Sequence, residues 1–334
     1  MASNLFIFNS KIDMKRKEIV HYVIVLVMFL FFLKLVEKTL DYFIRFDYNK
    51  KPGCAASGTI NADVLIQGAS RVAFGMNTSI LHKKTGLSCY NLGLPNSYID
   101  ESLALLEIYL KNNKKPKYLF LEVSANYFDF NQTVFHSFLF VPYMEDELIT
   151  SIVRRNDFLL YTLHYFPLFK YSIYNGESIS QFCSGLSRRL KNTSAYDSAF
   201  GYKPMTCEWD GKFDAFKEKN PNGISYKLDE SKMKSFIQYM DLIKKYNIKL
   251  FLYEAPILKE ALPYFKNHDS IANVITKIAS EYNVTYVSFA NLPMNSNRLY
   301  FVNSMHTCAT GSDTFTEIFY DTYSDWFRKL KPGF

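Results

Sequence analysis

Ser70 is the residue of this sequence best placed to act as a nucleophile. It follows two small residues, Gly68 and Ala69, at the end of the apolar run in "ADVLIQGASRVAFG". A hydroxyl between small side chains leaves room for a carbonyl substrate to approach. Acyl transfer through serine also needs a base and hydrogen-bond donors aimed at the oxyanion. His306, just before the closing helix that the sequence predicts, is the base that we expect to take the serine proton.

Two further residues are the expected oxyanion donors, beside the backbone N–H of Ser70 itself. Gly93 would let a backbone N–H face the site without a side chain in the way, and Asn126 could offer its side-chain amide. Each residue is weak evidence for an active site when taken alone, because glycine and asparagine are common in turns. Their shared position after predicted strands makes them site candidates.

Arg71 and Glu254 are the charged candidates near the serine. Arg71 either holds a carboxylate or a sugar hydroxyl of the substrate, or it pairs with a nearby acid. Glu254 ends another predicted strand and is a candidate for substrate binding.

The elements that must position these residues alternate between strands and helices. Buried strands are predicted at "ADVLIQ", "PKYLFLEVS" and "IKLFLYEAP", and weaker ones at "SCYNLG" and "VTYVSFA". Amphipathic helices lie between them, one with Asp229 as its expected N-cap. This alternation predicts an α/β fold, a three-layer α/β/α sandwich around a mostly parallel five-stranded sheet. Ligands bind beyond the carboxyl ends of such strands, where Ser70, Gly93, Asn126 and Glu254 all fall.

The predicted α/β domain covers residues 62–330 and contains a long insertion at about 128–210. The insertion is crowded with Phe and Tyr without clear alternation, so we expect some helix and a lid or docking surface there. Residues 37–61 have the mixed charge and the small residues of a linker.

The N-terminal segment predicts a membrane anchor. Residues 19–36 are almost uninterrupted apolar residues, about the minimum that crosses a hydrocarbon core of roughly 30 Å. Basic residues precede this run, so residues 1–18 are expected in the cytoplasm under the positive-inside rule, with the main domain outside. No small-residue cleavage site follows closely, which favours an uncleaved anchor over a removed signal peptide.

Composition and spacing argue against several other classes of protein. The net charge is +7, but the lysines are scattered and we find no recognition helix or glycine-rich phosphate loop, so no nucleic-acid partner is expected. The remaining histidines show no metal-ligand spacing, and we expect neither a metal nor another cofactor. The five cysteines lack CxxC spacing. In an exported domain, Cys183 and Cys207 are the first pair to test for a disulfide.

The order of these blocks resembles the SGNH hydrolases, a branch of the GDSL esterase and lipase group. "GAS" at 68–70 is similar to the nucleophile block of that family, and "YNLGLPNS" at 90–97 to the block that supplies the glycine. "SANY" at 124–127 places Asn126 on the family's asparagine, and "NSMHTCATGSDTFT" at 303–316 resembles its terminal Asp-x-x-His block. The resemblance covers residues 62–128 and 229–329. It implies a flavodoxin-like sheet, a Ser70–His306 pair and an oxyanion site of Ser70, Gly93 and Asn126.

The anchor followed by "GASRVAFGMN" further resembles bacterial envelope proteins encoded with membrane-bound O-acyltransferases, among them teichoic-acid D-alanylation and alginate O-acetylation proteins. This resemblance implies a single-pass protein of the bacterial cytoplasmic membrane. It would pass an acyl group, expected to be acetyl, from a donor to a cell-surface polysaccharide. A membrane-bound O-acyltransferase is its expected partner.

Asn303 stands where this family has its acid. An asparagine can accept the Nδ1–H bond of His306 and position the ring, but it brings no negative charge. Asn303 is therefore a catalytic candidate, and Glu254 and Asp313 are the carboxylates that could replace the missing acid. Three functions stay open: an O-acyltransferase, an esterase with water as the acceptor, or a non-catalytic partner of a membrane acyltransferase.

Overall fold

The computed structural model describes residues 16–130, 135–194 and 199–330, so most of the predicted cytoplasmic segment 1–18 lies outside the described residues. Its strands are β1 (Val64–Gln67), β2 (Cys89–Asn91), β3 (Tyr118–Glu122), β4 (Lys249–Glu254) and β5 (Thr285–Ser288). Its helices are α1 (Arg16–Ile44), α2 (Lys51–Ala56), α3 (Ser70–Gly75), α4 (Thr78–Thr85), α5 (Ile99–Asn112), α6 (Glu147–Asn156), α7 (Phe158–Leu163), α8 (Asn175–Lys191), α9 (Lys212–Lys219), α10 (Glu230–Tyr246), α11 (His268–Glu281) and α12 (Ala309–Arg328).

The five strands form one parallel sheet in the order β2-β1-β3-β4-β5. In register, Val64 of β1 lies beside Cys89 of β2 on one side and Tyr118 of β3 on the other. The predicted five-stranded α/β fold is confirmed. Because all strands run the same way, every loop that follows a strand opens at one edge of the sheet.

Alternate residues of each strand face opposite helical layers. In β4, Leu250 and Leu252 pack with α5, α10 and α11, whereas Phe251 and Tyr253 pack with α3, α4 and α12. Helices therefore cover both faces of the sheet, as the three-layer prediction requires. Asp229 caps α10 as predicted, since its side chain accepts the backbone N–H of Lys232.

Residues 37–61 are packed rather than extended as a linker. Residues 37–44 continue α1, and most of α2 is buried. Lys51 donates from its ammonium to the carbonyls of Asn91 at 2.6 Å and Gly201 at 2.7 Å. A Cβ on Gly53 would lie 2.3 Å from the carbonyl oxygen of Asp47, so the small residues that indicated a linker serve close backbone contacts instead.

The insertion contains helices α6, α7 and α8, with short 3-10 turns before α6 and between α7 and α8. Helix α8 packs against the C-terminal half of α1, where a Cβ on Gly185 would lie 1.9 Å from the carbonyl oxygen of Phe43. The rings of Phe43 and Phe182 also meet edge to face. The insertion therefore packs against the C-terminal half of α1.

Within the described residues, α1 is the one helix long and apolar enough to cross a membrane. The most apolar 18-residue window of the stretch Glu18–Ile44 has a mean hydropathy of 2.6, and this window is not buried by the rest of the protein. Side chains from Ile19 to Phe32 are accordingly exposed.

Candidate active site

Ser70 begins helix α3 at the point where β1 ends. The chain turns there through Gly68, whose φ of +148° favours glycine. A Cβ at this position would also lie 2.6 Å from Val72 Cγ2 and 2.9 Å from Glu122 Cβ. The small residues before the serine therefore permit a sharp turn that leaves Ser70 half-buried at the sheet edge.

Asn91, which the sequence analysis passed over, fixes the helix that carries the serine. Its buried amide donates to the carbonyls of Val72 at 2.7 Å and Met76 at 2.9 Å. The Val72 carbonyl also accepts the backbone N–H of Met76 at 3.1 Å, so the Asn91 amide supports the C-terminal end of this short helix. The only signal for Asn91 in the sequence is that a polar residue ends the buried strand "CYN".

The structure brings Ser70 and His306 into contact although 236 residues separate them. Ser70 Oγ lies 2.8 Å from His306 Nε2, within the range expected for a nucleophile and its base. The ring of Phe74, one turn after Ser70, packs edge-on against the imidazole.

Asn303 determines which ring nitrogen of His306 carries the proton. Its Oδ1 accepts the backbone N–H groups of Met305 at 3.0 Å and His306 at 3.1 Å, which identifies this atom as the oxygen. The same oxygen lies 3.0 Å from His306 Nδ1. Because a carbonyl oxygen only accepts, Nδ1 must carry the hydrogen. Nε2 is then unprotonated and accepts the Ser70 hydroxyl.

The imidazole of His306 is held neutral. Burial, and then the positive charge of Arg71, lower the pKa of His306 to about 4, although Asp210 acts in the opposite direction. At neutral pH the ring is therefore in the form that can accept a proton.

Asp210 is the acid of this site that the sequence analysis missed. Asn303 Nδ2 donates to Asp210 Oδ2 at 2.8 Å. The carboxylate therefore contacts the Asn303 amide and not the His306 ring. Partial burial would raise the pKa of Asp210, but hydrogen bonds from Asn303 and from the backbone of Lys212 outweigh it and lower the pKa. Asp210 lies at the end of the insertion, outside the family-like blocks, so no spacing linked it to His306.

A disulfide joins Cys207 to Cys308, and the pair suggested by the sequence, Cys183 with Cys207, is wrong. Cys183 is an exposed, free thiol on α8. Cys207 instead lies beside the N-terminus of α12, where the N–H of Ala309 donates to the carbonyl of Met205 at 2.9 Å.

The two expected oxyanion donors differ in their surroundings. The N–H of Gly93 donates to Asn91 Oδ1 at 2.9 Å, so this predicted donor is already engaged. Gly93 is small for another reason, because a Cβ there would lie 2.5 Å from the backbone nitrogen of Ala73. Asn126 is half-buried after β3, and its Oδ1 accepts the Ser124 hydroxyl at 2.7 Å.

The Arg71 side chain points into the protein interior. Its guanidinium is buried, donates to the carbonyls of Ala255 and Pro256, and lies 3.2 Å from Glu122 Oε1. Of the two roles predicted for Arg71, the structure therefore shows the pairing with an acid. The physical reason is helical geometry, which turns the side chain after Ser70 inward by about 100°.

Neither proposed replacement acid reaches His306. Glu254 is buried, with one oxygen 2.9 Å from His268 Nε2 and the other accepting the Ser288 hydroxyl at 2.7 Å. The Glu254 hydrogen bond raises the pKa of His268 to about 9, against the effect of burial. Asp313 accepts from the Asn77 amide at 2.7 Å and is exposed. Both oxygens of Glu254 are thus engaged, and the structure assigns it to the link between β4 and α11.

Across the residues that the structure describes, no group of three or more His, Cys, Asp or Glu side chains could hold a metal ion.

No protein-family model matches the chain, and no curated protein does. One solved structure, from Streptococcus pneumonia and described provisionally as a platelet activating factor, is similar with a TM-score of 0.41 and 11% sequence identity. The alignment covers 92% of this chain and 99% of that chain.

Proposed function

We propose that this protein is a serine-dependent acyl-transfer enzyme with Ser70 as its nucleophile. The observation that carries the proposal is the hydrogen-bonded line from Ser70 Oγ through His306 to Asn303. A hydroxyl, an unprotonated ring nitrogen and an acceptor on the opposite nitrogen are the parts that such chemistry requires.

The asparagine at 303 does not disable this arrangement. In serine proteases, replacing the triad aspartate by asparagine costs about 10⁴ in kcat because the histidine adopts the wrong tautomer. Here the backbone N–H groups of Met305 and His306 hold the Asn303 oxygen toward the ring. The correct tautomer is therefore enforced, which favours an enzyme over a non-catalytic partner.

The reaction proceeds in two half-reactions. His306 Nε2 takes the proton of Ser70 as Oγ bonds to the acyl carbonyl carbon, and the same imidazolium then protonates the departing group of the donor. In the second half-reaction, His306 removes a proton from the acceptor hydroxyl, which attacks the acyl-serine and restores the Ser70 hydroxyl.

Two groups are the proposed oxyanion donors. One is the backbone N–H of Ser70, since the first N–H groups of a helix lack intrahelical partners. The other is the amide of Asn126, whose oxygen is occupied by Ser124, leaving its N–H₂ group to donate.

The proposed acceptor is a hydroxyl of a cell-surface polysaccharide, and the proposed acyl group is acetyl. This finer assignment rests on the resemblance to envelope O-acetylation proteins together with α1, which would anchor the domain outside the cytoplasm. The disulfide supports that location, because thiols are kept reduced in the cytoplasm.

The test is covalent labelling of the full chain, purified in detergent, with a fluorophosphonate. We expect a single adduct on Ser70, formed as Oγ bonds to phosphorus and fluoride leaves, and no adduct in Ser70→Ala. Turnover of p-nitrophenyl acetate should be lost in the same variant. An unlabelled Ser70 together with no turnover of the ester by the wild type would overturn the proposal.

A second measurement separates transfer from hydrolysis. The acetyl ester is supplied with and without an oligosaccharide acceptor, and acetylated sugar is measured by mass spectrometry. Acetylated sugar supports the transferase, whereas acetate as the sole product identifies an esterase.

A further inference from the structure

The first inference concerns the segment that carries the disulfide and Asp210. We define residues 205–210 as the strap. It runs along the loop of residues 302–309, which carries Asn303 and His306. Backbone hydrogen bonds join Ala309 to Met205 and Asp210 to Val302, each at 2.9 Å. The Cys207–Cys308 disulfide adds a covalent tie between the same two segments.

The strap places one carboxylate at the histidine loop. Asp210 accepts the Asn303 amide at 2.8 Å, and its side chain is only 21% exposed. With the oxygen of Asn303 held by two backbone donors and by His306 Nδ1, the amide N–H₂ is directed toward Asp210. Hydrogen bonds thus continue without a break from Ser70 through His306 and Asn303 to Asp210.

We propose that Asp210 is a positioning residue that acts on His306 through Asn303. Its charge polarises the amide and strengthens the acceptor that faces Nδ1–H, because charge-assisted hydrogen bonds are the stronger ones and polarise their neighbours. The site therefore has its carboxylate one residue further from the ring than a Ser-His-Asp triad. This inference rests on the proposed function of Ser70.

The arrangement makes positions 303 and 210 interdependent. A carboxylate at 303 would accept the same three N–H groups, but it would face Asp210 at hydrogen-bond distance without a hydrogen between them. Two like charges so close destabilise each other. An aspartate at 303 is therefore tolerated only if residue 210 can donate.

The experiment compares three variants of the full chain: Asp210→Ala, Asn303→Asp, and the exchange Asn303→Asp with Asp210→Asn. The rate of Ser70 labelling by a fluorophosphonate should fall roughly 10- to 100-fold in Asp210→Ala, the range expected for a hydrogen bond to a charged group. It should fall in Asn303→Asp and recover in the exchange variant. Glu208→Gln, an exposed neighbour in the strap, is the matched control and should behave as wild type.

A second readout does not depend on the reactivity of Ser70. In protein labelled with ¹⁵N-histidine, His306 should be the Nδ1–H tautomer in both proteins, but the Nδ1–H proton resonance should move upfield in Asp210→Ala because its acceptor is weaker. An unchanged Nδ1–H chemical shift and labelling rate in Asp210→Ala would overturn the inference, as would an exchange variant no faster than Asn303→Asp. If the wild type is not labelled at all, the proposed function fails and the Nδ1–H chemical shift alone decides the role of Asp210.

The second inference concerns an exposed apolar surface on the insertion. Five side chains of α7 and the turn after it form this surface, which we call the aromatic rim: Phe158, Leu159, Tyr165, Phe166 and Phe169, each 55% to 64% exposed. Exposed apolar side chains in contiguous groups mark interaction sites.

Buried polar contacts join the segment that carries the rim to two residues one turn apart on α1. The N–H of Leu168 donates to Glu37 Oε2 at 2.6 Å, and Lys170 donates to Asp41 Oδ1 at 2.8 Å. The hydroxyl of Tyr171 also donates to Asp41. Glu37 immediately follows the apolar run of residues 19–36, so the rim lies where the predicted membrane span ends.

We infer that the aromatic rim rests in the interfacial layer of the bilayer that α1 crosses. Aromatic side chains are enriched at the level of the headgroups, where an apolar ring and a polar tip are both satisfied. Lys34 and Lys38, whose side chains are 42% and 43% exposed, lie on the same stretch of α1 and form ion pairs with Glu37 and Glu145. This inference rests on the proposed anchoring by α1.

Nitroxide labels on the full chain in vesicles of phosphatidylcholine and phosphatidylglycerol test the depth of the rim. In a Cys183→Ser background, labels are placed at Phe166→Cys in the rim, Phe29→Cys in α1 and Leu190→Cys. Leu190 is an equally apolar residue, 77% exposed, at the far end of α8, and serves as the matched control. Collisions with oxygen and with a water-soluble nickel chelate are measured by electron paramagnetic resonance.

Labels at 29 and 166 should favour oxygen over nickel, with 166 the shallower, and the label at 190 should favour nickel. A nickel-accessible label at 166 beside a buried label at 29 would overturn the rim inference and leave a protein as the partner of that surface. A nickel-accessible label at 29 would overturn the anchor and the rim inference together.

Discussion

At the scale of single residues, the chemistry depends on which atom of Asn303 faces the imidazole. Two backbone donors settle this, so an amide performs the orienting task of a carboxylate. The imidazole then remains neutral in a buried setting that lowers its pKa.

The low pKa of His306 predicts an unusual pH profile. A base must be unprotonated, and the pKa of about 4 means that protonation occurs well below the ordinary value of about 6.5. We expect kcat/KM for p-nitrophenyl acetate to stay level as the pH falls through 6.5 and to decline only near pH 4. The profile is measured with background hydrolysis subtracted, using Ser70→Ala. An acid limb centred near 6.5 would contradict this account.

Gly68→Ala should destabilise the protein. The φ of +148° costs a side-chain-bearing residue about 1–3 kcal/mol, and the new Cβ would also press on Val72 and Glu122. Thermal unfolding measures the loss. Gly176→Ala is the matched control, because it lies in helix α8 with nothing within 4 Å of the new Cβ, and its Tm should be unchanged or higher.

Sequence reasoning singled out Ser70 and His306 because strand ends are visible in a chain, and the family resemblance added Asn303. It could not find Asp210, whose position depends on how the insertion returns to the body. It also misjudged Gly93, since a small residue that admits a close backbone contact and one that exposes an N–H look alike in sequence.

At the scale of elements, the strap and the histidine loop form a unit closed by the disulfide. The alternating strands and helices were predictable from apolar periodicity, and the N-cap of α10 from Asp229. The disulfide pairing was not, because spacing along the chain says nothing about which cysteines the fold brings together.

Removing the disulfide should lower stability by about 2–5 kcal/mol, because the bond closes a loop of about 100 residues. The double variant Cys207→Ser with Cys308→Ser is compared with wild type by chemical denaturation. Cys183→Ser is the control and should match wild type, since that thiol is free and exposed. Equal stability of the double variant would contradict a structural role for the bond.

At the scale of the whole molecule, the segment between the apolar helix and β1 belongs to the folded body. Composition alone assigned it to a linker because lysines, glycine and small residues are typical of linkers. The buried ammonium of Lys51 joins the end of β2 to Gly201. This contact is visible only in the tertiary structure.

Truncation should reveal this boundary. A chain that begins at residue 37 keeps α2 and should unfold cooperatively, whereas one that begins at residue 62 exposes the surface that α2 covers and should aggregate. Solubility and circular dichroism of the two forms decide the matter. A stable, monomeric form beginning at residue 62 would show that α2 is dispensable.

The separation of 236 residues between Ser70 and His306 bears on when the proposed nucleophile meets its base. A ribosome makes the chain from its N-terminus, so the serine emerges long before its base. The hydroxyl has no proton acceptor until the chain is almost complete and its final helix has docked. If the proposed function holds, an incomplete chain is therefore inert toward acyl donors, and reactivity begins only with the finished fold.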